Sequence, residues 1–148
     1  MFRLQVTTLI LGASLFCAAG CGDAVDPTQR PVAPALGRVL FKGEPIPDAS
    51  IRFHPVTEPD DGKPVFLPRA IVDEAGNYFV TTYSYADGAP VGEYRVSLSW
   101  QGPMEGVSED DEDKLKELLP KKYTSPASSG ITVVISEGQN IIPEILLN

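Results

Sequence analysis

Histidine is nearly absent from this chain: 148 residues contain one, His54. Nucleophilic triads and most zinc sites draw on histidine, so neither has the residues for its usual form. Cysteine is almost as scarce, with Cys17 and Cys21 both close to the start. No internal disulfide can brace the body of the chain, and a body of this length does not need one. Base is short relative to acid, 12 Lys and Arg against 20 Asp and Glu, for a formal net charge of −8. Nucleic-acid binding rests on neutralising phosphates, and no basic stripe interleaved with aromatics offsets the acidity. Docking to anionic lipid through charge is disfavoured for the same reason. No apolar run reaches the ~20 residues that cross a bilayer as a helix. There is also no Gly-rich phosphate loop and no dinucleotide motif.

What is present begins with an address. Met1-Phe2-Arg3 makes a short positive start, residues 9–19 are an apolar run, and Ala18-Ala19-Gly20-Cys21 follows with small residues. That order is a secretory signal pattern. The last four residues resemble the lipobox of bacterial lipoproteins, although Ala18 stands where Leu is commonest. The resemblance implies cleavage before Cys21 and a diacylglyceryl group on its thiol. Cys21 is then the lipidation site, and membrane lipid is its partner, since two or more acyl chains hold a protein stably. Gly22 is not the aspartate associated in that family with inner-membrane retention, which favours the outer membrane or cell surface. An ordinary signal peptide cut near Ala19 is the competing reading. Removing residues 1–20 takes Arg3 with it and leaves 20 acids against 11 bases. Residues 21–35 contain Pro27, Pro31 and Pro34 and read as a flexible tether. Residues 36–148 are then one domain.

From Leu36 onward, short apolar runs alternate with turn signals, which is the all-β pattern. Val39 and Phe41 share a face. Ala49, Ile51 and Phe53 point inward while Ser50, Arg52 and His54 point out. Tyr94, Val96, Leu98 and Trp100 make the strongest strand, with Arg95, Ser97 and Ser99 on its other face. Further strands are expected at 69–73, 78–83, 131–136 and 141–147, and an exposed loop at 55–68. The predicted fold is a seven-stranded, two-sheet sandwich with Phe53, Val96, Leu98 and Trp100 in or near its core. One crossover helix is expected over 109–119. Ser108 would cap it, the acids of 109–113 suit its N-terminal end, Leu115, Leu118 and Leu119 fall at helical spacing, and Pro120 stops it.

Three segments together resemble a known group. They are Gly43-Glu44-Pro45-Ile46-Pro47-Asp48-Ala49-Ser50-Ile51-Arg52-Phe53, then Asp73-Glu74-Ala75-Gly76-Asn77-Tyr78, then Ala89-Pro90-Val91-Gly92-Glu93-Tyr94-Arg95-Val96. Their order and spacing resemble the carboxypeptidase-regulatory-like, transthyretin-like β-sandwich, an Ig-like architecture. Leu119-Pro120-Lys121-Lys122-Tyr123 and Ser129-Gly130-Ile131-Thr132 resemble a branch of small bacterial lipoproteins built on it. The resemblance implies a non-catalytic module, with no catalytic residue, metal or cofactor.

The residues themselves point the same way. His54 falls on the predicted outer face, and Cys21 is consumed by lipid. Asp73, Glu74 and Glu93 are the candidates for paired-carboxylate chemistry, but they sit in or beside turns, where acids are solvated. The run Glu109-Asp110-Asp111-Glu112-Asp113 invites a calcium reading yet lacks the alternate ligands and central glycine of an EF-hand loop. Lys42 follows the first strand and Asn148 ends the last, which raises an internal isopeptide like that of pilin-like sandwiches against the plainer reading of two exposed polar residues. The expected function is a non-enzymatic envelope lipoprotein whose sandwich binds a protein or a glycan. The alternatives are a carbohydrate-active or hydrolase accessory protein, or a weak calcium or small-ligand binder.

Overall fold

A computed structural model describes residues 26–108 and 115–148. The leader, Cys21 and the acidic part of the expected helix, 109–114, lie outside the described residues. What is described is two β-sheets facing each other across one apolar core.

The first sheet is organised by β1 (Ala35–Phe41). A two-residue Lys42-Gly43 turn returns the chain as β2 (Glu44–Pro45), antiparallel to β1. Farther along the same edge, β5 (Asn77–Phe79) pairs with residues 36–38 of β1. The other edge takes β8 (Asn140–Ile141) and β9 (Ile145–Leu147), both parallel to β1. The second sheet is antiparallel throughout, in the order β4 (Arg69–Ile71), β3 (Ser50–Pro55), β6 (Gly92–Ser99), β7 (Thr132–Ile135).

The inward faces are those that alternation marks. Phe53, Val96 and Leu98 are fully buried, and Trp100 packs half-buried against them, its indole N–H donating to the Pro47 carbonyl at 2.9 Å. Two glycines are required by what they touch. Gly76 adopts φ +87, and a side chain there would strike the Val39 carbonyl at 2.8 Å. Gly37 lies directly under the Tyr78 ring, its partner across β1 and β5, where any Cβ would collide with the phenol.

Two expectations are corrected. Nine strands form among the described residues, not seven. The tight turn after β1 is itself a ladder, which adds β2. The expected last strand is split into β8 and β9 because Pro143 has no N–H to give the ladder. The second correction is that residues 115–119 are not helical. Tertiary contacts hold this segment against the end of β6 instead. The Glu117 carboxylate accepts from the Ser99 hydroxyl and from the amides of Trp100 and Leu119, and the Leu118 amide donates to the Trp100 carbonyl. These bonds and the burial of Leu119 outweigh a weak local helix preference. The ordered chain also begins before residue 36: Ala33 is buried and exchanges two backbone bonds with Ala89.

Two stability changes follow. Leu98→Ala should cost roughly 2–5 kcal/mol by leaving a cavity, and a neutral result in denaturant unfolding would remove Leu98 from the core. Tyr78 is buried with a hydroxyl that finds no partner among the described residues. Such a group costs about 1–3 kcal/mol, so Tyr78→Phe should leave stability unchanged or raise it. A loss above about 1 kcal/mol would show that the hydroxyl is bonded after all.

Candidate functional site

The two sheets meet along one side, where Arg69 of β4 and Thr81 just beyond β5 exchange backbone bonds of 2.9 and 2.8 Å. The outer surface across this junction is a cleft of about 630 Å³. Arg52 and Arg69 stand side by side in it as direct cross-strand partners. Ile71, Phe79 and Tyr85 are largely exposed along its walls, with Asp73, Asn77, Thr81 and Tyr83 between them.

Three local constructions hold these side chains. Asp73 turns the β4–β5 loop by accepting from the amides of Ala75 and Asn77 at 2.9 and 2.8 Å. Asp87 accepts from the amides of Thr82, Tyr83 and Ser84 at 2.7, 2.9 and 2.9 Å, which folds the loop carrying both tyrosines. Tyr83 is fixed further by the Arg30 amide, which donates to its hydroxyl at 3.0 Å, and by an edge-on contact with Phe66. Arg30 itself clamps the long loop: its guanidinium donates to the Asp61 carboxylate and to the carbonyls of Lys63 and Pro64. That hydrogen-bonded ion pair holds Asp61 below the usual carboxylate range.

Arg95 lies on the same outer sheet face, opposite His54. His54 Nε2 and Ser97 Oγ are 2.9 Å apart. A serine beside a histidine is the start of a nucleophilic site, but the surroundings oppose one. Ser97 is only 7% exposed. No carboxylate bonds to His54 among the described residues. Partial burial first, and the nearby Arg52 second, push the His54 pKa down. A general base must stabilise the imidazolium it becomes, and an arginine beside it does the reverse.

The expected carboxylate candidates do not converge. Asp73 closes its own loop beside the Ser99 end of β6, whereas Glu93 lies at the other end of that strand. Six residues of strand separate those ends by about 20 Å. Glu74 is exposed. Among the described residues, no group of three His, Cys, Asp or Glu is placed to hold a metal ion. Glu93 does line a second crevice of about 600 Å³ under the loop 55–66, with Glu58, Asp60 and Asp61. Tyr94 closes its floor, its hydroxyl donating to the Pro90 carbonyl at 2.7 Å, and burial pushes this phenol up to about 12. Lys42 and Asn148 are neighbours by backbone, since the Lys42 amide donates to the Leu147 carbonyl. Their side chains are not bonded to each other: the Lys42 ammonium sits 5.0 Å from the centre of the Phe41 ring.

Sequence reasoning placed Arg52 and His54 outward but missed the cleft, because Arg69 and the tyrosine loop reach it only through long-range pairing. The available signal was a run of outward basic and aromatic residues in an acidic chain.

No protein-family model matches the chain, and no curated protein matches it. Among solved structures, a DUF3823 family protein from Parabacteroides merdae is similar over 78% of this chain, at 12% identity and a TM-score of 0.36. This chain spans 46% of that structure's length. A likeness of that size carries no functional argument, and the β-sandwich assignment rests on the two packed sheets.

The His54 shift gives a pH dependence with a definite sign. The unfolded imidazole titrates near 6.5 and the folded one lower, so below pH 6.5 the unfolded chain binds more protons. Stability should therefore fall as pH drops through this window. His54→Gln should make the decline between pH 7.5 and 5.5 shallower in denaturant unfolding. An unchanged slope would show that His54 is not responsible.

Proposed function

We propose that this chain is a lipid-anchored envelope protein without catalytic activity, and that its sandwich is a binding module working through the cleft at β3, β4 and β5. The observation that carries the binding reading is the pair Arg52 and Arg69, whose guanidinium groups have no partner among the described residues, beside exposed Phe79 and Tyr85. Charged and aromatic side chains held on a sheet and on a hydrogen-bonded loop beside it are what a recognition surface offers a partner. The non-catalytic reading is supported by the arginine beside His54 and by the separation of Asp73 from Glu93. The anchor reading is supported by the signal pattern ending in Cys21. The transthyretin-like form of the sandwich is supported by the order of the three motifs, each of which has a structural task. Ile46 fills the core after the first hairpin, Asp73 and Gly76 build the second loop, and Tyr94 buttresses the third.

The anchor should depend on one thiol. Cys21→Ser should abolish lipidation and move the protein from the detergent phase to the aqueous phase. The mass of the mature N-terminal peptide checks the first outcome and detergent partitioning the second. An unmodified Cys21 in the mature protein overturns the anchor. Hydrolysis by the purified chain that disappears on replacing His54, Asp73 or Glu93 overturns the non-catalytic reading.

A further inference from the structure

Five arginines lie among the described residues, and they divide into two groups. Arg30 and Arg38 are in ion pairs, with Asp61 and Glu144. The guanidinium groups of Arg52, Arg69 and Arg95 have no ion pair or hydrogen bond among the described residues, and all three residues face outward on the four-stranded sheet. In a chain of net charge −8, acids are plentiful, yet this face collects cations that none of the described acids neutralises. Arg52 and Arg69 are directly opposite across β3 and β4, and like charges so placed destabilise a sheet. A bound anion would offset that repulsion.

The chemistry beside the arginines narrows the anion. Tyr85 is 86% exposed and Phe79 46% exposed, rings that the folded chain leaves uncovered. Their faces carry negative quadrupole density and suit the C–H face of a pyranose ring. Asn77 and Thr81 offer short polar side chains for hydroxyl groups, and Asp73 can accept from them. A planar guanidinium matches a carboxylate bidentately. Asp73, Asn77 and Thr81 can bond ring hydroxyl groups, which a run of acidic side chains lacks, so the mixture fits a saccharide better than a polyacidic peptide.

We infer that the cleft binds an acidic polysaccharide, with ring carboxylates on Arg52 and Arg69 and sugar faces on Phe79 and Tyr85. The inference rests on the binding reading above and names its ligand class. The test is affinity electrophoresis of the full chain in detergent, through native gels containing polygalacturonate, its neutral methyl ester or polyglutamate. Wild type should be retarded by polygalacturonate alone, and salt should weaken the retardation. Arg52→Ala/Arg69→Ala should lower the apparent affinity by about tenfold or more, the scale of a lost charge-assisted bond. Its melting temperature should not fall, because the substitution relieves a like-charge pair. Tyr85→Ala should weaken retention without changing its salt dependence. Equal retention by the methyl ester would overturn the role of the arginines while leaving a glycan-binding module in place. Equal retention by polyglutamate would overturn the saccharide and point to an acidic protein partner. Retention by none of the three would overturn this inference. The general binding reading would then fail separately if wild type and the double arginine variant captured the same material from native envelope.

Discussion

Every other strand of one sheet hangs on β1. Its one edge bonds antiparallel β2 and β5, its other edge bonds parallel β8 and β9, and none of these four has another neighbour in that sheet. The register of β1 therefore sets which side chains of five strands face the core. A slip of one residue would turn all of them over. Two contacts prevent the slip. The Lys42-Gly43 turn fixes β2 to the end of β1, and the Tyr78 ring fits only over a residue without a side chain, Gly37. The far end of the chain is tied separately: the Asn148 amide donates to the hydroxyl of the buried Tyr123, holding β9 in place beside β1.

Several acids of this protein are used to build loops. Asp73 and Asp87 each bond several amides of their own turns, Asp61 is held by Arg30, and Glu117 joins the end of β6. A carboxylate engaged this way satisfies backbone donors that would otherwise need water. The consequence for function is a separation of charge. Among the described residues, acid gathers mainly in loops and turns, while the outer face of the four-stranded sheet carries Arg52, Arg69 and Arg95, whose guanidinium groups make no ion pair there.

That same field shapes the His54–Ser97 pair. Geometry alone would make it a candidate nucleophile and base. Partial burial first, and Arg52 second, favour the neutral imidazole over the imidazolium that a general base must become. Burial of Ser97 acts in the same direction by closing the hydroxyl from solvent. The His54–Ser97 contact joins β3 to β6 across their outer face.

Alternation is a local property, and the sequence by itself determined what alternation controls: strand identity, the inward set of Phe53, Val96 and Leu98, the outward placement of Arg52 and His54, and the turns at Gly43 and Gly76. It also determined the acidic balance and the cysteine at position 21. Pairing is not local. That Arg52 faces Arg69 depends on how the loop 55–68 returns, and that the tyrosine loop flanks them depends on the join between Arg69 and Thr81. The helix expected through 115–119 failed for the same reason. Its leucines have helical spacing, but Glu117 and Leu119 gain more from the end of β6 than a short isolated helix gains from its own bonds. Tertiary structure decided the cleft, because a cleft is made of residues that only folding brings together.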